Sequence, residues 1–255
     1  MVHIDPQSVY QEAEPFFFSG NNIAILFIHG FTASPSELYL VAKLVHQESG
    51  ATVSGVLLPG HGSHPQFLNQ TTWQDWYKTV EAESEYLLAH YEKVYVVGLS
   101  LGGLLSMYLG VNLPEIKGVV SINPPIRLRN PMINVMAPVM QWVKPYFPKP
   151  KEKQRKLRKK GRFAYESTPV RAFRSMMELK EETLKALKDI EVPLLLIQSL
   201  ADESVHPQGT SLIIKKVKTA QIELVELIDS EHVATMAEED QENIASLIIK
   251  FMEEN

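Results

Sequence analysis

The chain has 255 residues, of which 45% are hydrophobic, enough to bury the core of one sizeable α/β domain. Its formal net charge of −5 argues against a nucleic-acid-binding protein, which usually carries a basic excess. The sequence contains 0 cysteines, which excludes disulfides, a cysteine nucleophile and thiolate metal ligands and fits a reducing compartment.

The beginning of the chain does not have the pattern of a secretory signal. Residues 1–6 show no basic segment followed by an apolar one. No uninterrupted apolar run in the chain approaches the roughly 20 residues that span a bilayer. We therefore expect a soluble cytoplasmic protein.

Short apolar runs alternate with longer segments of helical periodicity, which is the pattern of strand–helix–strand units. We predict strands at 23–28, 52–57, 94–97, 119–122, 194–198 and 222–227. We predict helices at about 35–48, 72–89, 100–109, 208–217 and 239–253. The runs are rich in Val, Ile and Leu with little alternation, which predicts an α/β fold with a mostly parallel central sheet and helices on both faces.

The first predicted helix has a recognisable beginning. Ser34 is placed to cap it, Pro35 suits its first turn, and Glu37 is expected to close a capping box.

A serine lies at a predicted strand-to-helix junction. Ser100 follows the apolar run 94–97 and stands between Gly98 and Gly102. Small flanking residues permit a sharp turn that exposes the hydroxyl at the start of a helix, where it can act as an acyl-transfer nucleophile. An ordinary glycine-rich turn remains the alternative on this motif alone.

Residues 124–192 interrupt the alternation of strands and helices with prolines and methionines. An insertion between core strands is the usual place for a cap over an active site. We therefore predict a core of residues 1–123 and 193–255 with a cap or lid at 124–192. Met132, Met136 and Met140 are candidate pocket residues, although packing of the cap is the alternative for each.

The basic run at 149–162 is interpreted as a solvated helix face, with attraction to an anionic membrane surface as the minority alternative.

A serine nucleophile needs a base, and the base needs a partner that fixes its tautomer. His232 follows the last predicted strand, at the edge of a parallel sheet where loops build sites. Asp202 follows the preceding strand and is the preferred acid, with Glu203 as its competitor.

The developing oxyanion also needs donors, and backbone N–H groups are suitable because they are already oriented. Leu101, directly after the serine, supplies one at a helix N-terminus. Phe31, in the loop after the first predicted strand, is the candidate for the second, while His29 is expected to hold loops together.

These motifs resemble the α/β-hydrolase superfamily over nearly the whole chain, and the chain order of Ser100, Asp202 and His232 is that of its triad. More narrowly, the chain is similar to bacterial carboxylesterases and monoacylglycerol lipases of the serine aminopeptidase-like branch. The residues that carry the resemblance are His29-Gly30-Phe31, Pro59-Gly60-His61-Gly62, Gly98-Leu99-Ser100-Leu101-Gly102-Gly103, Asp202 and His232. The resemblance implies an Asp202–His232–Ser100 triad and an oxyanion hole built from Phe31 and Leu101.

The predicted function is therefore serine carboxylesterase activity through an acyl-enzyme on Ser100, acting on a small-molecule ester. A monoacylglycerol lipase acting on acylglycerol is the first alternative. A thioesterase, an acyltransferase and a non-catalytic ligand receptor of the same fold are further alternatives. This chemistry requires no metal and no organic cofactor, and no nucleic-acid partner is expected.

Overall fold

The computed structural model describes residues 9–130, 144–218 and 221–255, except for the side chain of Lys153. The candidate pocket residues Met132, Met136 and Met140 lie outside these ranges.

The described parts of the chain contain nine strands and eight α-helices. The strands are β1 (Phe16–Phe18), β2 (Ile23–Ile28), β3 (Thr52–Val56), β4 (Lys93–Leu99), β5 (Gly118–Ile122), β6 (Tyr146–Pro148), β7 (Ser167–Pro169), β8 (Leu194–Ser199) and β9 (Ile222–Leu227). The helices are α1 (Tyr39–Ser49), α2 (Pro65–Leu68), α3 (Trp73–His90), α4 (Leu101–Asn112), α5 (Lys151–Lys159), α6 (Val170–Ala186), α7 (Gly209–Lys216) and α8 (Glu238–Glu254). Short 3₁₀ turns occur at Gln11–Ala13, Pro35–Glu37, Leu187–Asp189 and Ala234–Met236.

Seven strands form the central sheet in the order β1-β3-β2-β4-β5-β8-β9. Its six strands from β3 to β9 are parallel, as the apolar runs predict, and β1 pairs antiparallel with β3 at the edge. The mostly parallel sheet expected from the sequence is thus confirmed. Strand β1 was not predicted, because three residues are too short to show a period. Strands β6 and β7 form a separate antiparallel pair.

The sheet is covered on both faces, so each central strand contributes alternate residues to two cores. Along β2, Ala24, Leu26 and Ile28 pack into the layer that contains α3, α4 and α6. Ile25 and Phe27 pack into the opposite layer, with α1 and α8. Burial on both sides explains why these strands are continuously apolar.

The predicted first helix is divided in the structure. Pro35–Glu37 forms a 3₁₀ turn that Ser34 caps by accepting the N–H of Ser36, and α1 follows. Glu37 does not close the expected capping box, because its carboxylate bonds to Gly30 and Arg162 instead. Arg162 is remote in sequence, so a local motif could not reveal this competition.

The topology places the four loops that carry the predicted site residues at one edge of the sheet. The chain runs from β3 on one side of β2 to β4 on its other side, and crevices at such a reversal are the usual ligand sites of α/β sheets. The loops after β2, β4, β8 and β9 all leave the carboxyl edge of this sheet. Within the described ranges, no helix combines the length and apolar character needed to cross a membrane.

Candidate active site

Ser100 occupies a strained turn between β4 and α4. Its backbone has φ 56° and ψ −111°, a conformation that non-glycine residues rarely adopt. A Cβ atom at Gly98 would lie 2.0 Å from the carbonyl oxygen of Gly102, and one at Gly102 would lie 2.0 Å from that of Ile28. Any side chain at Gly98 or Gly102 would clash with the backbone, so both positions require glycine, as the turn motif suggests.

Three side chains from separate loops meet at this turn. The Oγ atom of Ser100 lies 3.0 Å from Nε2 of His232, and Nδ1 of the same ring lies 2.6 Å from Oδ2 of Asp202. The structure thus brings together the serine, acid and histidine named from the sequence. This connectivity lets His232 accept the serine proton while Asp202 fixes the ring orientation.

The Asp202 carboxylate is fully buried and remains well partnered. Burial alone would raise its pKa, but the hydrogen bond and charge of His232, with N–H donors from Val205 and Ser204, lower the pKa below its usual 3.8. The two N–H groups donate to Oδ1 at 2.7 Å and 2.8 Å, which leaves Oδ2 for the histidine. Glu203, the competing carboxylate, is exposed, and the ring of His232 bonds to Asp202.

Asn123, at the end of β5, is a site residue that the sequence analysis did not identify. It is fully buried with φ 46°, in the left-handed region that asparagine tolerates better than most residues. Its amide nitrogen donates to the carbonyl of His232 at 2.9 Å and to the hydroxyl of Ser199 at 2.8 Å. Its amide oxygen accepts the N–H of Ser199 and the side chain of Gln198. One asparagine after a strand gave no pattern that could have singled it out.

The loop after β2 lies directly over the serine turn. An ideal Cβ at Gly30 would be 3.5 Å from the Cβ of Ser100, so the two backbones approach closely. Phe31 and Thr32 follow, and Thr32 has φ 63° and donates its hydroxyl to the carbonyl of Phe31. Leu101 begins α4 on the other side of the serine. Phe31 thus follows the glycine that approaches Ser100, and Leu101 directly follows Ser100 in the chain.

Glu37 and Arg162 form a buried ion pair beside this loop. Arg162 donates to Oε2 of Glu37 at 2.8 Å, and the two side chains are 8% and 1% exposed. The other carboxylate oxygen of Glu37 accepts the N–H of Gly30. The carbonyl of Glu37 accepts the hydroxyl of Thr235, close after His232 in the chain. One acidic residue thus ties the Gly30 loop to the segment before β7 and to the histidine loop.

His29 has the structural role expected from the sequence. Its Nε2 accepts the N–H of Leu58 at 3.1 Å, so Nδ1 carries the proton and donates to the carbonyl of Gly30. Burial lowers the pKa of His29 from 6.5 to about 4, which the charge of Glu37 opposes only in part. The ring is therefore neutral at physiological pH and connects two loops without acting as a base.

A cavity of about 820 Å³ opens at Ser100 and His232. Its apolar wall comes from both sides of the site and includes Phe31, Leu128, Phe147, Leu157, Val170, Phe173, Met176 and Val205. This volume lies in the range of small-molecule pockets, roughly 300–1,000 Å³. No cluster of three or more potential metal-binding side chains occurs among the residues that the structure describes.

Known proteins resemble this chain over most of its length. The serine aminopeptidase S33 family matches residues 21–240. The thermostable monoacylglycerol lipase of Bacillus sp. (strain H-257) is 30% identical over 95% of this chain and 95% of its own length. The carboxylesterase of Bacillus subtilis (strain 168) is 27% identical over 89% of this chain and 91% of its own.

A solved structure from the pair LipS and LipT, lipolytic enzymes of metagenomic origin, superimposes with a TM-score of 0.87. It is 28% identical and covers 97% of this chain and 100% of that chain. The expected α/β-hydrolase fold is thereby confirmed. Since the family match extends over most of the sequence, this chain belongs to the serine aminopeptidase S33 family.

Proposed function

We propose that the protein hydrolyses carboxylic esters through an acyl-enzyme formed on Ser100. The observation that carries this proposal is the continuous hydrogen-bond path from Asp202 through His232 to Ser100, which opens into an apolar cavity. Relatives named as a monoacylglycerol lipase and a carboxylesterase support the same reaction class.

The proton steps follow from this geometry. Because Asp202 is held ionised, Nδ1 of His232 keeps its proton and Nε2 is free to accept the proton of Ser100. The oxygen of Ser100 attacks the ester carbonyl, and Asp202 stabilises the imidazolium that forms. His232 then gives its proton to the leaving alcohol, and afterwards it activates the water that hydrolyses the acyl-enzyme.

The negative charge on the carbonyl oxygen needs fixed donors, and we assign them to the backbone N–H groups of Phe31 and Leu101. The close approach of Gly30 to Ser100 supports the first assignment. The position of Leu101 at the start of α4 supports the second, because N–H groups at a helix N-terminus point out of the helix.

We assign the cap role to residues 124–192. Phe147 of β6 and Leu157 of α5 belong to this segment and line the cavity, and neither β6 nor α5 is part of the central sheet. Helix α6 also contributes Phe173 and packs against α3 and α4, so this end of the segment rests on the core. A cytoplasmic location remains the prediction made from the sequence.

Monoacylglycerol lipase activity is the second candidate. It is favoured by the relative of that name, which matches 95% of this chain, and by a cavity large enough for an acyl chain with a small alcohol. Matched series of p-nitrophenyl esters and 1-monoacylglycerols with increasing acyl length separate the candidates. A carboxylesterase prefers the simple short esters, and a monoacylglycerol lipase prefers glycerides with longer chains.

The variant Ser100→Ala tests the proposed reaction itself. We expect loss of p-nitrophenyl ester turnover with unchanged circular dichroism, because only the nucleophilic oxygen is removed. Ser211→Ala, at an exposed serine of α7, is the matched control and should retain full activity. Near wild-type turnover by Ser100→Ala would overturn the proposal.

A further inference from the structure

One cationic side chain in the cavity has no part in the reaction proposed above. Lys149 directly follows β6 and lines the same cavity as Ser100 and His232. Its ammonium group donates to the hydroxyl of Thr32, next to Phe31 in the loop after β2. Lys149 is only partly exposed, so its charge has been taken largely out of water.

No carboxylate neutralises this charge among the residues that the structure describes. Glu37, the acidic group that acts on Lys149, already bonds to Arg162 and to the N–H of Gly30. Arg162 itself repels the ammonium group. Burial and this repulsion lower the pKa of Lys149 from 10.5 to about 7.

An ammonium group in an apolar cavity without a counter-ion is costly to keep. A hydrogen bond to Thr32 does not require a charge, because a neutral amide or hydroxyl would donate equally well. Buried ionisable groups with a shifted pKa are concentrated at ligand sites, where the ligand supplies the missing charge partner. An ammonium group has three donors, so two remain after the bond to Thr32.

We propose that Lys149 binds an anionic group, a carboxylate or a phosphate, carried by the ester substrate. This inference rests on the proposed ester hydrolysis and names the substrate class of that same cavity. The other charged groups around Lys149 do not supply the anion. Arg162 and Glu37 are paired with each other, and His61 is a buried ring whose pKa burial lowers. Glu203, on the loop after β8, lines the same cavity, but the charges that act on Lys149 are those of Arg162 and Glu37.

A matched pair of esters tests the inference. Mono-p-nitrophenyl adipate carries a terminal carboxylate, and p-nitrophenyl hexanoate has the same acyl length without it. The measured quantity is the ratio of kcat/KM for the charged ester to that for the neutral ester. We expect the wild-type ratio to fall on the order of tenfold in Lys149→Gln, which keeps a donor for Thr32 and removes the charge. Lys149→Arg should preserve most of the ratio, because it keeps the charge.

Lys151→Gln, at an exposed lysine two residues further on, is the control for general surface charge and should leave the ratio unchanged. A second pair, 1-lauroylglycerol 3-phosphate and 1-lauroylglycerol, places the anion on the alcohol. A Lys149-dependent ratio in the first pair assigns a carboxylate on the acyl side, and one in the second assigns a phosphate on the alcohol side.

Two results would overturn the inference in distinguishable ways. If the wild type cleaves the neutral esters and Lys149→Gln leaves both ratios unchanged, Lys149 only bonds to Thr32. The proposed anion binding is then wrong, while the proposed ester hydrolysis stands. If the wild type cleaves none of the four esters, ester hydrolysis itself is wrong and the inference fails with it.

Discussion

The side-chain amide of Asn123 donates a hydrogen bond to the backbone carbonyl of His232, at a distance of 2.9 Å. The same side chain accepts the N–H of Ser199 at 2.7 Å, so one residue connects the ends of β5 and β8 with the histidine loop. His232 bonds to Ser100 and Asp202 through its ring, and Asn123 holds its backbone.

Asn123→Ala should therefore impair catalysis without removing any reacting group. We expect kcat to fall on the order of tenfold to a hundredfold, with a smaller change in KM, because the imidazole is no longer held against Ser100. The free energy of unfolding should fall by about 2 kcal/mol, since the buried N–H of Ser199 loses its acceptor. Steady-state kinetics and urea unfolding measure the two effects.

Asn112→Ala, at an exposed asparagine of α4, is the control and should change neither kcat nor the free energy of unfolding. Equal kcat values for Asn123→Ala and Asn112→Ala would contradict the role of Asn123 in holding His232.

The two adjacent acids can be separated by isosteric variants. Asp202→Asn keeps the size of the side chain but imposes the wrong histidine tautomer, for which we expect a loss of about 10⁴-fold in kcat. Glu203→Gln should change kcat by less than about threefold, because the ring of His232 bonds to Asp202. Stopped assays with a p-nitrophenyl ester measure both. A larger loss for Glu203→Gln than for Asp202→Asn would reverse the assignment.

The ion pair between Glu37 and Arg162 should be sensitive to removal of one partner. Arg162→Met leaves the Glu37 carboxylate buried and partly unpaired, for which we expect about 3 kcal/mol of lost unfolding free energy. The double variant Glu37→Gln/Arg162→Met should be more stable than the sum of the single effects predicts. Urea unfolding of the four proteins gives this coupling.

Arg158→Met is the matched control for that cycle. The pair of Arg158 with Glu166 has the same kind of contact, at 3.0 Å, but the two side chains are 64% and 66% exposed. We expect a change within about 0.5 kcal/mol, because water and salt screen such a pair. Equal losses of unfolding free energy for Arg158→Met and Arg162→Met would show that burial of the pair between Glu37 and Arg162 has no energetic consequence.

The buried ring of His29 predicts a loss of stability in mild acid. Its pKa is 6.5 in the unfolded chain and about 4 in the folded one, so only the unfolded chain takes up a proton between these values. The contribution is fully present above pH 6.5 and is lost as the pH falls towards 4, by about 3 kcal/mol in total.

Urea unfolding between pH 7.5 and 4.5 measures this slope. His29→Gln, whose amide can still accept the N–H of Leu58, should be less stable at pH 7.5 but show a shallower dependence on pH. Part of the slope should remain, because burial also lowers the pKa of His61. An unchanged slope in His29→Gln would contradict the assignment of that ring as buried and neutral.

The central sheet could be predicted because each of its buried strands is a continuous apolar run within a few residues of sequence. A strand buried on both faces, such as β4, must be continuously apolar, and this pattern is visible without knowing its neighbours. The edge strand β1 has only three residues, and its pairing with β3 depends on contacts that no short window contains.

The site was predictable to the extent that its residues belong to local motifs. The need for glycine at Gly98 and Gly102 could be read from the chain because both contacts arise within one sharp turn and the strand beside it. The partners of Glu37 could not, since Arg162 lies 125 residues away and a nearer capping role was equally consistent with the sequence. Asn123 has no local pattern, because its role comes from the loops packed around it. The interpretation of the basic run 149–162 as a solvated helix face is wrong at its two ends. Lys149 lines the cavity and Arg162 is buried beside Glu37, because loops remote in sequence pack around both.

Covalent labelling with a fluorophosphonate tests the central claim most directly, because this reagent reacts with an activated serine and needs no knowledge of the substrate. Intact-mass spectrometry should show one adduct per chain, peptide mapping should place it on Ser100, and ester turnover should fall in proportion to labelling. An adduct on another residue, or continued ester turnover by fully labelled protein, would contradict Ser100 as the nucleophile.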